Sequence, residues 1–130
     1  MAMNINWLAV LLSALAGFLV GGLWYSVLFA KAWQRAAGLT DEQLKHGTVR
    51  VFAGSFLLSA VASVVLAAFI GTADVGSGAL AGLAVGVGWV AAAFGVNYLF
   101  ERRSLALFAI NAGYNMVTFT AMGAIIGALQ

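Results

Sequence analysis

Four long apolar stretches alternate with short polar connections along the chain. Each stretch contains a window of about 20 or more residues without Asp, Glu, Lys, Arg or His. A helix of that length crosses the ~30 Å hydrocarbon core of a bilayer, because it rises about 1.5 Å per residue. The pattern therefore predicts four transmembrane helices, over about 5–30, 49–70, 78–100 and 105–129.

The composition supports insertion into a membrane. Hydrophobic residues make up 64% of the 130 residues and charged residues 8%, whereas soluble domains carry about 25% charged residues. So few polar residues cannot cover the exterior of a soluble fold, and helices satisfy their own backbone hydrogen bonds in lipid. We therefore expect an all-α integral membrane protein, a single domain over 1–130 whose four spans form an antiparallel bundle.

The first polar connection carries a helix-start signal. Thr40 is followed three residues later by Gln43, the spacing of a capping box in which each side chain binds the other residue's backbone N–H. This spacing predicts a short cytoplasmic surface helix after the first span. The second connection, residues 71–77, is predicted to form a tight turn.

The basic residues predict the orientation of the chain. Connections that remain in the cytoplasm carry an excess of Lys and Arg. All six such residues fall in the first and third connections, which four spans place on one side: Lys31, Arg35, Lys45, Arg50, Arg102 and Arg103. We therefore expect these connections to be cytoplasmic and both termini to be non-cytoplasmic.

A stripe of glycines marks one face of the third span. Gly78, Gly82 and Gly86 are spaced by four residues, so they lie above one another on a helix and allow a neighbouring backbone to approach closely. Two interpretations are open: the stripe packs against another helix of the same bundle, or it forms a contact between copies in a homo-oligomer.

The fourth span carries the most polar side chains inside the membrane. Asn111 and Asn115 lie one turn apart, and an Asn amide facing lipid would lack hydrogen-bond partners. Either they form hydrogen bonds between helices only, or they line a polar pocket that opens to the cytoplasm. The wall of that pocket would comprise Trp24, Tyr25, Asn97, Asn111, Tyr114 and Asn115.

Charged residues gather where the first and third spans reach the cytoplasmic interface. They form either an interfacial ion cluster that anchors the topology or a binding site for an anionic headgroup, because basic groups at an acidic leaflet each contribute about 1 kcal/mol. The members of this candidate cluster are Lys31, Arg35, Glu101, Arg102 and Arg103.

Several kinds of chemistry have no support in the sequence. The chain has no Cys, one His and four carboxylates, and no catalytic or phosphate-binding motif occurs. We therefore expect no enzyme activity, no metal and no cofactor. Ion-coupled transporters place ionisable side chains in the middle of their spans, and none occurs there. The net charge of +2 resides in juxtamembrane connections, so it does not indicate nucleic acid.

Three motifs occur in order over essentially the whole chain: Asn4-Ile5-Asn6-Trp7-Leu8-Ala9-Val10; Gly21-Gly22-Leu23-Trp24-Tyr25-Ser26 with Lys31-Ala32-Trp33; and Glu101-Arg102-Arg103-Ser104 with Asn111-Ala112-Gly113-Tyr114. The combination resembles a family of small, mostly bacterial membrane proteins catalogued as domain of unknown function 1761. The resemblance implies four helices and a bacterial inner membrane, without an established activity. Members often have proline after the Trp-Tyr-Ser, where this chain has Val27, so we expect a straighter end to the first helix.

The function is left with three alternatives at this point. The first is a non-enzymatic scaffold or accessory factor that associates with copies of itself in the membrane. The second is an uncoupled channel or carrier for a small neutral or weakly polar solute. The third is a lipid- or amphiphile-binding module that uses the polar pocket, with Lys31, Arg35 and Arg102 at its mouth. Membrane lipids are the expected partners, and no protein partner is indicated.

Overall fold

The computed structural model describes residues 5–71 and 74–130; Asn4 of the first motif and Thr72 and Ala73 of the predicted turn lie outside these ranges. Within them the chain forms six helices: α1 (Trp7–Leu28), α2 (Ala30–Ala37), α3 (Asp41–Leu44), α4 (Thr48–Ile70), α5 (Val75–Glu101) and α6 (Leu105–Leu129). The four long ones, α1, α4, α5 and α6, are long and apolar enough to cross a membrane. This confirms the four predicted spans.

Polar side chains define where three of the spans begin. The Asn6 side chain accepts from the backbone N–H groups of Leu8 and Ala9 at the start of α1, and Ser104 caps α6 in the same way. The Asp74 carboxylate accepts from the Ser77 N–H at 2.7 Å. Because of this cap, α5 begins three residues before the predicted boundary at 78.

The first connection contains two short helices rather than one. The capping box is confirmed at α3, where the Thr40 Oγ1 accepts from the Gln43 N–H at 3.1 Å and the Gln43 side chain binds the Thr40 N–H. The sequence analysis missed α2, which ends at Gly38 in the left-handed conformation (φ 71°). A left-handed glycine is a common helix terminator.

Two of the spans contain a π-helical segment. In α1 this segment is Trp24–Leu28, and the Phe29 N–H donates to the Trp24 carbonyl five residues earlier. Phe29 itself (φ −125°, ψ 21°) leaves the helical region, so the first span does not end as the straight helix expected without proline. In α5 the segment is Gly86–Ala91.

The helix α6 lies at the centre of the bundle. It packs against α5 on one side and α1 on the other, while α4 packs mainly on α1. Each of these pairs is antiparallel, because successive spans alternate in direction. Many large apolar side chains face outward, among them Leu19, Phe69 and Leu105, as expected for helices whose solvent is lipid.

The glycine stripe holds α5 against α6 within the chain. A methyl group on Gly82 would overlap the carbonyl oxygen of Phe119, and one on either Gly78 or Gly123 would overlap the other's carbonyl oxygen. The two backbones therefore touch directly, a packing that only glycine allows. The stripe therefore packs against another helix of the same bundle, which was the first of the two interpretations. Its three glycines are buried in this contact.

The two ends of the bundle differ in chemistry. All six basic residues lie at one end, which we call the basic end: five are in the connections, and Arg50 is in the first turn of α4. At the other, the Gln130 end, the Gln130 side chain donates to the Gly71 carbonyl and accepts from the Asn6 N–H at 3.1 Å. An apolar cluster that includes Met122 and Ile126 fills the interior of that half.

Candidate functional site

Asn111 joins three helices near the basic end. Its Oδ1 accepts a hydrogen bond from the Tyr25 hydroxyl of α1 at 2.5 Å, and its Nδ2 donates to the Tyr98 hydroxyl of α5 at 2.7 Å. One amide on α6 thus binds both flanking helices. The amide satisfies part of its hydrogen-bonding capacity inside the protein, as a polar group at this depth must.

Trp24 and Tyr114 complete the aromatic wall around Asn111. The Trp24 indole N–H donates to the Ile110 carbonyl at 2.9 Å, and the Tyr114 hydroxyl donates to the Gly17 carbonyl at 3.2 Å. The rings of Tyr25 and Tyr114 lie with their centres 5.2 Å apart. These contacts cross between α1 and α6, so the wall also fixes the packing of the two helices.

Small residues make room for these rings. A methyl group on Gly113 would come within 3.1 Å of the Trp24 ring, and one on Gly21 within 3.3 Å of the Tyr114 hydroxyl. Contacts that short are rarely tolerated in packed interiors, so the neighbouring rings would have to shift. Gly21 of the second motif and Gly113 of the third therefore make room for an aromatic side chain of the facing helix.

Two of the six predicted pocket residues form no side-chain hydrogen bond to another helix in the described part of the chain. Asn97 is exposed on the outer face of α5 and does not line the pocket. Asn115 donates to the Asn111 carbonyl at 2.8 Å, a bond within its own helix. The structure therefore does not bring Asn97 to Asn111, because α5 turns the adjacent Tyr98 toward Asn111 instead.

A weak internal similarity was the signal that could have identified Tyr98. The segment Gly22-Leu-Trp-Tyr25 of the first span resembles Gly95-Val-Asn-Tyr98 of the third. In the structure both tyrosines bind the same Asn111 side chain from opposite sides. Tyr25 and Tyr98, the last residues of the two segments, thus share the role of binding Asn111. The residues before them, Trp24 and Asn97, do not share a role.

The π-helical segment of α1 precedes the break that brings Trp33 to the site. The chain leaves the α1 direction at Phe29 and restarts as α2, in which the Trp33 N–H donates to the Phe29 carbonyl at 2.7 Å. The Trp33 ring then packs edge-on against Tyr25, with 5.2 Å between ring centres. Segments of π-helix are frequently found at functional sites.

Asn111 forms the floor of an open depression of about 260 Å³ at the basic end. We call it the Asn111 pocket. Its lining mixes apolar, aromatic, polar and charged groups: Trp33, Ala37, Leu39, Tyr98, Glu101, Arg103, Leu107 and Asn111. Of the six predicted pocket residues, Asn111 belongs to this lining, whereas Trp24, Tyr25, Asn97, Tyr114 and Asn115 lie outside it. The pocket therefore reaches Asn111 and does not continue past it toward the middle of the membrane.

The predicted ion cluster divides between two places. Glu101 and Arg103 are on the rim of the Asn111 pocket and form an ion pair, with Nε and Oε1 3.3 Å apart. Lys31 and Arg35 of α2 line a second open depression of about 300 Å³ with Gln34 and Leu39. Arg102 lies apart from both and donates to the Phe100 carbonyl.

The pocket offers hydrogen-bond donors beside apolar surface. The Tyr98 hydroxyl accepts from Asn111, which leaves its own O–H to donate. Ala37, Leu39 and Leu107 provide the apolar part of the lining. Among residues 5–71 and 74–130, no group of three His, Cys, Asp or Glu side chains is placed to hold a metal ion. The arrangement is therefore suited to binding a molecule with a polar head and an apolar body.

Comparison with known proteins gives one match. No curated protein and no solved structure shows significant similarity to the chain. The family described as "Protein of unknown function (DUF1761)" matches residues 8–127, which include the Asn111 pocket and all but the outermost residues of the four spans. The chain therefore belongs to the DUF1761 family of proteins of unknown function.

Proposed function

We propose that this membrane protein is a non-enzymatic binding module for the polar headgroup of an amphiphile, which enters the Asn111 pocket from the basic end. The observation that carries the proposal is the pocket itself. The hydrogen-bonding groups of Tyr98 and Asn111 line the same depression as the apolar side chains of Ala37, Leu39 and Leu107. A headgroup would bind the floor while its chain lies along the apolar wall.

The position of the pocket within the chain favours this kind of ligand. Its floor residues belong to spans, whereas its rim residues Glu101 and Arg103 lie at the ends of α5 and α6 beside the polar connections. The site thus lies at the level of lipid headgroups. Trp33 at this level is typical of interfacial aromatic residues, which hold an apolar ring and a polar N–H at the boundary.

A solute channel through a single copy has less support. Beyond Asn111, the α5 and α6 backbones are in direct contact at the glycine stripe. Met122 and Ile126 fill the space between α1, α4 and α6 in the same half. A solute that reached Asn111 would therefore meet close-packed protein, so we favour binding over passage.

The proposal is tested by binding of single-chain probes to the protein in dodecyl maltoside micelles. Dodecyl phosphate, dodecyl glucoside and laurate share a chain and differ in headgroup, and native mass spectrometry reports bound copies. We expect at least one probe to bind saturably, and Tyr98→Phe to weaken that binding about fivefold by removing one hydrogen bond.

The neighbouring Asn97 provides the matched control, because it is exposed and outside the pocket. Asn97→Ala should leave binding of every probe unchanged. Absence of saturable binding for all three headgroups would overturn the proposed function. Equal losses in Tyr98→Phe and Asn97→Ala would also overturn it, since they would place the bound probe elsewhere on α5.

We also propose that the basic end faces the cytoplasm of a bacterial inner membrane. The support is the positive-inside rule applied to the basic end, which carries every Lys and Arg. A reporter active only outside the cytoplasm and fused after Gln130 should be active. A cytoplasmic reporter that is active at the same position would contradict this orientation.

Self-association is a second candidate, and Trp89 is the observation in its favour. Trp89 lies near the middle of α5, is 66% exposed and contacts Phe69 of α4. An indole facing hydrocarbon at that depth has its N–H without water, whereas tryptophan normally resides at the interfaces. A second copy packed on this α4–α5 face would shield the indole. The glycine stripe is already occupied by α6 within the chain, so this face is the one we propose for the contact.

Cross-linking in membranes tests this candidate. A cysteine placed at Ala93, which is exposed on α5 one turn after Trp89 and on the same helix face, should give a cross-linked dimer that Trp89→Ala reduces. The control is Trp7→Ala, because Trp7 is 64% exposed at the end of α1 and belongs to no α4–α5 surface. No dimer, or the same reduction by both substitutions, would contradict self-association through this face.

A further inference from the structure

A second depression adjoins the Asn111 pocket and differs from it in charge. It is formed by Lys31, Gln34 and Arg35 on one face of α2, with Leu39 beyond the end of the helix. Lys31 and Arg35 lie four residues apart, so both cations project from the same face. We call this site the cationic depression.

The charge of the cationic depression is not neutralised by an ion pair. Among residues 5–71 and 74–130, the ion pairs are His46 with Glu42 and Arg103 with Glu101; neither includes Lys31 or Arg35. An acidic side chain does contact Gln34, whose Nε2 donates to the Asp41 carboxylate at 2.7 Å. Asp41 is exposed on α3 and does not line the depression. The site therefore presents two cations to an anion.

The two depressions meet at one residue. Leu39 lines both of them, and α2 separates them, with Trp33 and Ala37 toward the Asn111 pocket. Near the Asn111 pocket, Glu101 already pairs with Arg103, so that pocket has no free cation for an anionic group. A ligand with an anionic group and a separate polar group would place the first beside α2 and the second on Tyr98 and Asn111.

We propose that the cationic depression binds the phosphate group of the amphiphile whose remaining headgroup occupies the Asn111 pocket; the inference rests on the proposed function. Lys31 and Arg35 provide ammonium and guanidinium donors, and phosphate offers several acceptor oxygens to such pairs. One amide N–H of Gln34 is directed to Asp41, and Lys31 and Arg35 are the charged recognition groups. Leu39 would contact the part of the ligand that joins its two polar groups.

Removal of both cations tests the assignment against a matched double variant. Lys31→Gln with Arg35→Gln should weaken dodecyl phosphate binding about thirtyfold, from about 1 kcal/mol for each basic group. The control, Lys45→Gln with Arg50→Gln, removes the same charge at the basic end, from the first connection and the first turn of α4, outside both depressions. It should change the dissociation constant by less than about twofold. Equal losses in the two double variants would overturn the inference, because the attraction would then be a general effect of charge.

The headgroup comparison separates this inference from the function on which it rests. We expect dodecyl phosphate to bind more tightly than laurate and dodecyl glucoside. If dodecyl glucoside binds equally well and still depends on Tyr98, the proposed function stands and the phosphate inference fails. If laurate equals dodecyl phosphate in both affinity and dependence on Lys31 and Arg35, the site recognises anions in general, and phosphate is again overturned.

Inorganic phosphate distinguishes a lipid headgroup from free phosphate as the natural source. Competition at millimolar concentration, lost in the Lys31→Gln, Arg35→Gln double variant, would show that the phosphate group alone is recognised. Binding of dodecyl phosphate without such competition would assign the source to a lipid. Both results support the phosphate site. Competition that persists in the double variant would place the phosphate elsewhere and contradict it.

Discussion

The α5–α6 pair is closed at the Gln130 end and open at the basic end. In the first half of α5, glycines bring the two backbones into direct contact at Gly78 and Gly82. In the last turns of α5 the close approach between the helices is largely lost. There the two helices are joined by the hydrogen bond between the side chains of Tyr98 and Asn111. The two helices therefore diverge, and the Asn111 pocket lies where they have separated.

The difference shows how one helix pair can provide both rigidity and a site. Backbone contact leaves no space for a ligand, and every atom of that contact is fixed by main-chain geometry. Side-chain contact across a wider gap leaves room, which Trp33 of α2 only partly fills. The closed half fixes the angle between the two helices, and this angle keeps them apart in the open half, where the Asn111 pocket lies.

The largest expected effect is from a methyl group in the closed half. Gly82→Ala would overlap the Phe119 carbonyl oxygen, and because backbone cannot yield as a side chain can, we expect a loss of about 3 kcal/mol or more in the free energy of unfolding. Unfolding by sodium dodecyl sulfate, followed by circular dichroism, measures it. Gly54→Ala on α4, where the new methyl meets nothing within 4 Å, should be neutral or slightly stabilising. Equal stability of the two variants would refute the closed-half description.

A smaller effect is expected from the open half. Asn111→Leu leaves the Tyr25 and Tyr98 hydroxyls without their shared partner, which should cost about 1–2 kcal/mol in the same assay. Asn115→Leu removes only a bond within α6 and should cost about 0.6 kcal/mol or less. If Asn115→Leu were the more damaging of the two, Asn111 would not be the residue that joins the three helices.

The smallest expected effect concerns the Asp74 carboxylate, which caps α5 at the Gln130 end. The Ser77 backbone N–H donates to the Asp74 carboxylate and holds the pKa of that carboxyl below its ordinary value. Its stabilising contribution is therefore complete above about pH 4 and is lost as the pH falls through the lowered pKa. Thermal unfolding from about pH 7 to about pH 3 should show this decline.

The control for this pH effect is Asp74→Asn, because an Asn side chain also caps a helix but does not titrate. The variant should match the parent near neutral pH and lose less stability on acidification. An identical acid decline in both proteins would show that groups other than Asp74 cause it.

Local patterns in the sequence predicted the spans and some of their ends. The windows without charge anticipated α1, α4, α5 and α6 to within a few residues, and Thr40 with Gln43 anticipated α3. The helix α2 was not predicted, because the charges of Lys31 and Arg35 assigned this segment to the first connection. Its alternation of Ala30, Trp33 and Ala37 with polar residues, ended by Gly38, was the available signal.

The site depended on contacts that no local pattern contains. Asn97 and Tyr98 are adjacent, and only the rotation of α5 about its axis decides which of them faces Asn111. That rotation is set by the glycine contact some three turns earlier and by the π-helical segment between them. The sequence offered two roles for the stripe of Gly78, Gly82 and Gly86, and the packing of α6 against it selected one.

By itself the sequence determined that the chain crosses a membrane four times and that its basic residues share one end, because length, hydropathy and charge act residue by residue. The tertiary structure alone decided that Tyr25 and Tyr98 meet on one Asn111, and that Lys31 and Arg35 stand apart from Glu101 and Arg103. The physical reason is that helix rotation and separation depend on packing between distant segments. Close backbone contact at one end of α5 and α6 fixes the gap at the other.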